Sequence, residues 1–176
     1  MRFRGRPAVQ SESARASSAF EAGFRIDEPN ARPRATKVLA LDRASAAVIG
    51  RLATSPWTGA SFLTIPTEAP ARDGAFSVSG WLRDLAGQTR NLADEIAGAD
   101  QVVMVATAGE NAEAASIIGE ACSVRRIMTT GLILANSSTP DEALSRTLSH
   151  MRPWALMLVI ASGEEYIEDM LTALRA

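Results

Sequence analysis

The chain has 176 residues, 47% of them hydrophobic, with one cysteine, one histidine and a formal net charge of −2 at pH 7. That length fits one domain of roughly 100–150 residues plus an arm, and no stretch approaches the roughly 18 apolar residues of a membrane span. The near-neutral charge gives no reason to expect a nucleic-acid partner, and a lone cysteine cannot form an internal disulfide, which fits a cytoplasmic location.

Residues 1–37 hold eight basic residues (Arg2, Arg4, Arg6, Arg15, Arg25, Arg32, Arg34, Lys37) against four acids (Glu12, Glu21, Asp27, Glu28), so this part is +4 and the remainder is −6. Aromatics and periodicity are scarce there, and residues 1–36 read as a disordered basic arm preceding a single α/β domain over 37–176. The opening MRFRGRPAVQ has arginines with no hydrophobic segment after them, unlike a secretory signal.

The first strand is expected over Lys37 to Leu41 (KVLAL), followed by a helix from Ala44 to Ala53 with Val48, Ile49 and Leu52 as its apolar positions. Ser55 to Gly59 is a loop by composition. The second strand runs from Ser61 to Ile65 and is stopped by Pro66. A long, turn-rich loop from Thr67 to Val78 follows. Ser79 is expected to cap a helix ending near Gly98, with Trp81, Leu82, Leu85, Leu92 and Ile96 at three- and four-residue spacing.

Gln101 to Asn136 is the clearest stretch. Val102 to Val105 is continuously apolar, as a strand covered on both faces requires. Thr107-Ala108-Gly109 makes a turn, and Ala114, Ile117, Ile118, Ala121 and Cys122 then recur at helical spacing. Ile127 to Ala135 is the next strand, reached by a crossover long enough for parallel pairing. Thr139 to Glu142 and Ser162 to Glu165 both read as capping boxes. The first opens a helix with Leu144, Leu148 and Met151 as its buried stripe; the second opens the last helix. Between them lies a fifth strand, Ala155 to Ala161.

The pattern predicts an α/β fold: a three-layer Rossmann-like or flavodoxin-like open parallel sheet of five strands with helices on both faces. Two strand orders fit, 2-1-3-4-5 and 3-2-1-4-5. In either, ligands bind beyond the carboxyl ends of the strands, at the switch point beside strand one. The candidate ligand-binding residues on that rim are Asp42, Arg43, Ser45, Thr67, Thr107, Gly109, Glu110, Asn111, Asn136 and Ser138. Carboxylates are expected in the first turns of the last three helices (Glu110 and Glu113; Asp141 and Glu142; Glu164 and Glu165), where they cap free amides and repel phosphate. Arg43 and Ser45 are the rim's best anion contacts.

Several chemistries lack their residues. Lys37 is the only lysine, no GxxxxGK[ST] sequence exists, and DRASAAVIG stands where GxGxxG would. A phosphoacceptor receiver needs an acid pair, where Asp42 stands alone, and a lysine after the fifth strand. With His150 the only histidine, expected at the surface, no multi-histidine metal site can form. Cys122 is expected buried and inert.

Residues 96–109, IAGADQVVMVATAG, resemble the passage in tubulin-like GTPases of the FtsZ kind that leads into their phosphate loop. A GGGTGTG-type loop follows in that family, whereas ENAEAAS follows here, so the resemblance implies β-α-β geometry and not GTP binding.

The leading functional expectation is a domain that binds a small ligand or a protein partner at this rim, with no catalysis and no cofactor assignable. One alternative is a metal- or nucleotide-dependent enzyme using Asp42 and Glu110. Another is a structural subunit of a homo-oligomer, with Trp57, Trp154 or Ala75-Phe76 as interface anchors, although core packing suits each tryptophan better.

Overall fold

The apolar runs pair into one sheet. The computed structural model describes residues 34–66 and 81–176, all within one compact unit, Arg32–Ala176. The strands are β1 (Thr36–Ala40), β2 (Ala60–Thr64), β3 (Trp81–Asp84), β4 (Thr89–Asn91), β5 (Gln101–Thr107), β6 (Met128–Leu134) and β7 (Met157–Ala161). The helices are α1 (Arg43–Leu52), α2 (Leu92–Ala97), α3 (Ala114–Arg125), α4 (Asp141–Met151) and α5 (Glu164–Ala173). Residues 1–33 of the expected arm lie outside the described residues, as does the expected loop from Thr67 to Val78, whereas Thr36, the arm's last residue, is the first of β1.

The sheet has seven strands in the order β4-β3-β2-β1-β5-β6-β7, not the five expected. Its five parallel strands, counted along the chain, stand 2-1-3-4-5, the first of the two orders considered. The two extra strands are antiparallel and sit at the β2 edge.

Those two strands replace most of the helix expected over 79–98. Gly87 takes φ +78°, a left-handed conformation that glycine adopts without steric cost. Around it Gly87 N–H donates to Asp84 O (2.9 Å), and the Asp84 side chain accepts from Gln88 N–H (2.8 Å). The chain folds back as a hairpin, locked further by an Arg90–Asp84 ion pair at 3.1 Å. Only Leu92–Ala97 is helical, started by Asn91, whose Oδ1 accepts from Ala93 N–H.

Alternate residues of each central strand enter opposite layers, because side chains alternate across a strand. Leu39, Val102, Met104, Ala106 and Ile133 pack under α2, α3 and α4. Val38, Ala40, Val103, Val105 and Leu132 pack under α1 and α5. Val102 to Ala106 are each 0% exposed, which explains the unbroken hydrophobicity of that run; each large side chain so buried contributes roughly 2 kcal/mol.

Close approaches fix the α3–α4 layer. A β-carbon on Gly119 would lie 2.4 Å from Trp154 Cβ, so α3 can pass over that tryptophan only with glycine there. Trp57 likewise belongs to the core: its indole N–H donates to Leu52 O (2.8 Å) and its ring lies 6.0 Å from that of Phe62. Phe76, the other expected anchor, is outside the described residues.

Two expected capping boxes are not formed. Pro140 caps α4 and Gly163 caps α5, neither with a side-chain hydrogen bond. Thr139 instead closes the preceding loop, and Glu164 pairs with Arg51. A capping box does exist, on α1, between Asp42 and Ser45. No described helix is long and apolar enough to cross a membrane.

Candidate functional site

In a 2-1-3-4-5 sheet the connections leaving β1 and β5 pass to opposite faces, and a crevice opens between their carboxyl ends. Asp42 follows β1 there. Its Oδ1 accepts from Ser45 N–H (2.8 Å) and from Thr107 Oγ1 (3.0 Å), while its Oδ2 accepts from Thr107 N–H (2.7 Å). Ser45 returns the capping contact, accepting from Asp42 N–H (3.1 Å) and donating to Asp42 O (2.9 Å). One carboxylate thus starts α1 and bridges the ends of β1 and β5. The crevice floor is made by Asp42, Ser45 and Thr107, three of the residues expected on the rim.

The next loop is tied to α4. Gly109 adopts φ +91°, and its N–H donates to Thr147 Oγ1 (2.9 Å). A β-carbon at Gly109 would sit 3.1 Å from Ala143 Cβ, so both conformation and space call for glycine. Thr147 is 1% exposed and replaces part of the expected leucine stripe: Leu144 and Leu148 are only partly buried. Thr147 was the rim residue missed in the sequence. The signal was present, since Thr147 lies three residues after Leu144 and four before Met151 and so shares their helix face.

The remaining rim amides close local turns. Asn111 Oδ1 accepts from Glu113 N–H (2.8 Å). Asn136 Oδ1 accepts from Ser138 N–H (3.0 Å), Ser138 Oγ (2.7 Å) and Thr139 Oγ1 (3.2 Å), a self-contained Asx turn after β6. Arg43, Glu110, Asn111, Asn136 and Ser138 are all exposed. Thr67 lies outside the described residues, so nine of the ten expected residues are described.

The helix starts differ in charge from the expected pattern at α3. Asp141 and Glu142 occupy the first turn of α4, and Glu164 and Glu165 that of α5, but α3 has no acid in its first turn. Glu113 precedes α3 without a capping bond, and Glu110 lies in the loop. Glu164 is held below the usual carboxylate range, chiefly by its hydrogen bond to Arg51, whose guanidinium is raised by the same bond. The Cys122 thiol, fully buried under α3, is pushed up to about 11 by desolvation, with Arg125 opposing weakly. Lys37 pairs with Glu95 at 2.7 Å. His150 is exposed. Among the described residues no group of three or more His, Cys, Asp or Glu side chains is placed to hold a metal ion.

No protein-family model matches the chain, and no curated protein does. Among solved structures, the chain is similar to translation elongation factor SelB from Methanococcus maripaludis in its apo form, with a TM-score of 0.43 and 13% identity over 82% of this chain. The chain spans 36% of that protein's length.

Proposed function

We propose that this chain is a non-catalytic recognition domain that binds a small polar ligand, rich in hydroxyl or amine groups, at the carboxyl edge of its sheet. The observation supporting this reading is the division of labour on the rim. Asp42, Ser45 and Thr107 spend their polar groups on one another, while Arg43, Glu110, Asn111 and Ser138 are exposed in the segments that follow β1, β5 and β6. A floor whose polar groups are already held, with exposed charged groups such as Arg43 and Glu110 on the same edge, favours recognition, because positions held in advance need no ordering when the ligand arrives. The acids opening α4 and α5 disfavour a polyphosphate. Three protein donors already occupy most of the acceptor sites of the Asp42 carboxylate, which disfavours a metal there.

A thermal-shift screen of purified protein tests this reading, using polyols, sugars, amines and amino acids beside nucleotides with and without Mg²⁺. A ligand that binds the native state raises the melting temperature by mass action. The expected outcome is a rise with the hydroxyl or amine class, abolished by Glu110→Ala or Arg43→Ala. A rise only with a nucleoside triphosphate and Mg²⁺ would overturn the proposal in favour of an enzyme. No rise with any compound would also overturn it and point to a protein partner.

A further inference from the structure

The two ends of the parallel strands carry opposite charge. On the carboxyl rim Asp42, Glu110, Glu113 and the acid pairs opening α4 and α5 stand against Arg43: seven acids to one base, a side-chain charge of −6. On the amino rim, where the parallel strands begin and the helices end, exposed Arg34, Arg125, Arg126, Arg152 and Arg175 stand against Asp100: five bases to one acid, or +4. Asp100 is tied to the chain, its Oδ2 accepting from Ala35 N–H (2.9 Å). None of these five arginines has an ion-pair partner among the described residues, whereas Arg51, Arg90 and Arg146 each have one.

Helix dipoles favour bases at helix ends, but two features of this rim go beyond that. Arg126 (φ 56°) and Arg175 (φ 63°) are the non-glycine residues at positive φ among the described residues, and both lie here. Glycine would end a helix there at lower cost, and α3 already has Arg125 in its last turn to meet the dipole. The rim also exposes apolar side chains among its charges: Leu156 is 80% exposed, Val124 78% and Met128 48%. Leu156 and Val124 are the two most exposed large hydrophobic side chains among the described residues. A dipole gives no reason for either.

We propose that the amino rim docks on an anionic lipid surface, its arginines meeting the headgroups while Val124, Met128 and Leu156 enter the interface. β1, β5, β6 and β7 lie side by side, so their starts span about 14 Å. The arginines ending α3 and α5 come from opposite layers of the fold. The basic area is therefore broad in two directions, as a membrane surface is, and not a line fitted to one extended acidic segment. A nucleic acid would account for the arginines but not for the aliphatic side chains, because single strands stack on exposed aromatic rings. Trp57 and Trp154, the tryptophans near this rim, both pack into the core. Opposite charge on the two rims orients the molecule as it approaches. The carboxyl rim, with the ligand edge proposed above, then faces away from the lipid.

Co-sedimentation of the full chain with vesicles tests this docking, using pure phosphatidylcholine beside a mixture with about 30% phosphatidylserine. The expected result is binding to the anionic vesicles alone, weakening as salt rises from about 0.05 to about 0.5 M. Arg126→Gly is expected to weaken that binding about fivefold while the chain unfolds at higher urea, which separates lost docking from lost fold. Val124→Ser with Leu156→Ser, both at exposed positions, is expected to weaken it about tenfold with unfolding unchanged. No binding to the anionic vesicles would overturn the proposal, as would equal binding to both kinds. So would binding that ignores Arg126→Gly and the serine pair. Binding of polyglutamate or a single-stranded RNA oligonucleotide without binding of vesicles would overturn it in favour of that class of partner.

Discussion

Asp42 shows how a residue can be legible in its place and illegible in its role. Its place after the first apolar strand put it at the switch point without any structure. Its partners could not be read, because Thr107 lies 65 positions away and is reached only once β1 and β5 pair. The bridge predicts that Asp42→Ala leaves the Thr107 and Ser45 amides without their acceptor and lowers stability by about 2–3 kcal/mol in urea unfolding. Asn111 and Asn136 looked like free ligand contacts in sequence, yet each has its side-chain oxygen committed to a turn. Cys122 was legible, since its helical stripe implied burial. Its thiol, raised from 9.0 to about 11, binds a proton in the folded state that the unfolded chain has already released within that interval. The corresponding stability is fully present below pH 9 and is lost as pH rises through 11. Native protein is accordingly expected to resist thiol alkylation at pH 8 and to react only on unfolding.

Elements were legible where burial alone dictates the pattern and illegible where pairing decides. The doubly covered strands and α3 follow from continuous and helical periodicity. The segment from Trp81 to Ile96 has helical spacing too, but Leu85 is 51% exposed and breaks the stripe. The hairpin exists because β2 offers an edge for β3, which no local pattern records. Gly87, at φ +78° with open space around its Cα, was the local clue; Gly87→Ala is expected to cost about 1 kcal/mol through backbone conformation alone. At the end of α3, Arg126 takes φ 56°, and Ile127 N–H bonds back to Cys122 O. Glycine suits that position better, so Arg126→Gly is expected to stabilise the chain by about 1 kcal/mol in the same urea assay. Gly119→Ala should do the reverse, by about 2–3 kcal/mol, because the Trp154 side chain stands directly against it.

At the scale of the molecule, alternation of strands and helices implied a three-layer parallel sheet but left two strand orders open, and periodicity carries no information on which neighbours pair. The order found sets β1 beside β5 and brings Asp42 to Thr107. That contact divides the rim into a floor that holds the fold and a set of exposed residues, the ones proposed for recognition. The division is tested most directly by urea unfolding of Asp42→Ala and Glu110→Ala without any ligand present. Asp42→Ala is expected to lose about 2–3 kcal/mol, and Glu110→Ala to unfold within about 0.5 kcal/mol of the parent, as surface substitutions do. If Asp42→Ala unfolds like the parent, the carboxylate is not holding the two strands together, and the account of the crevice floor is wrong.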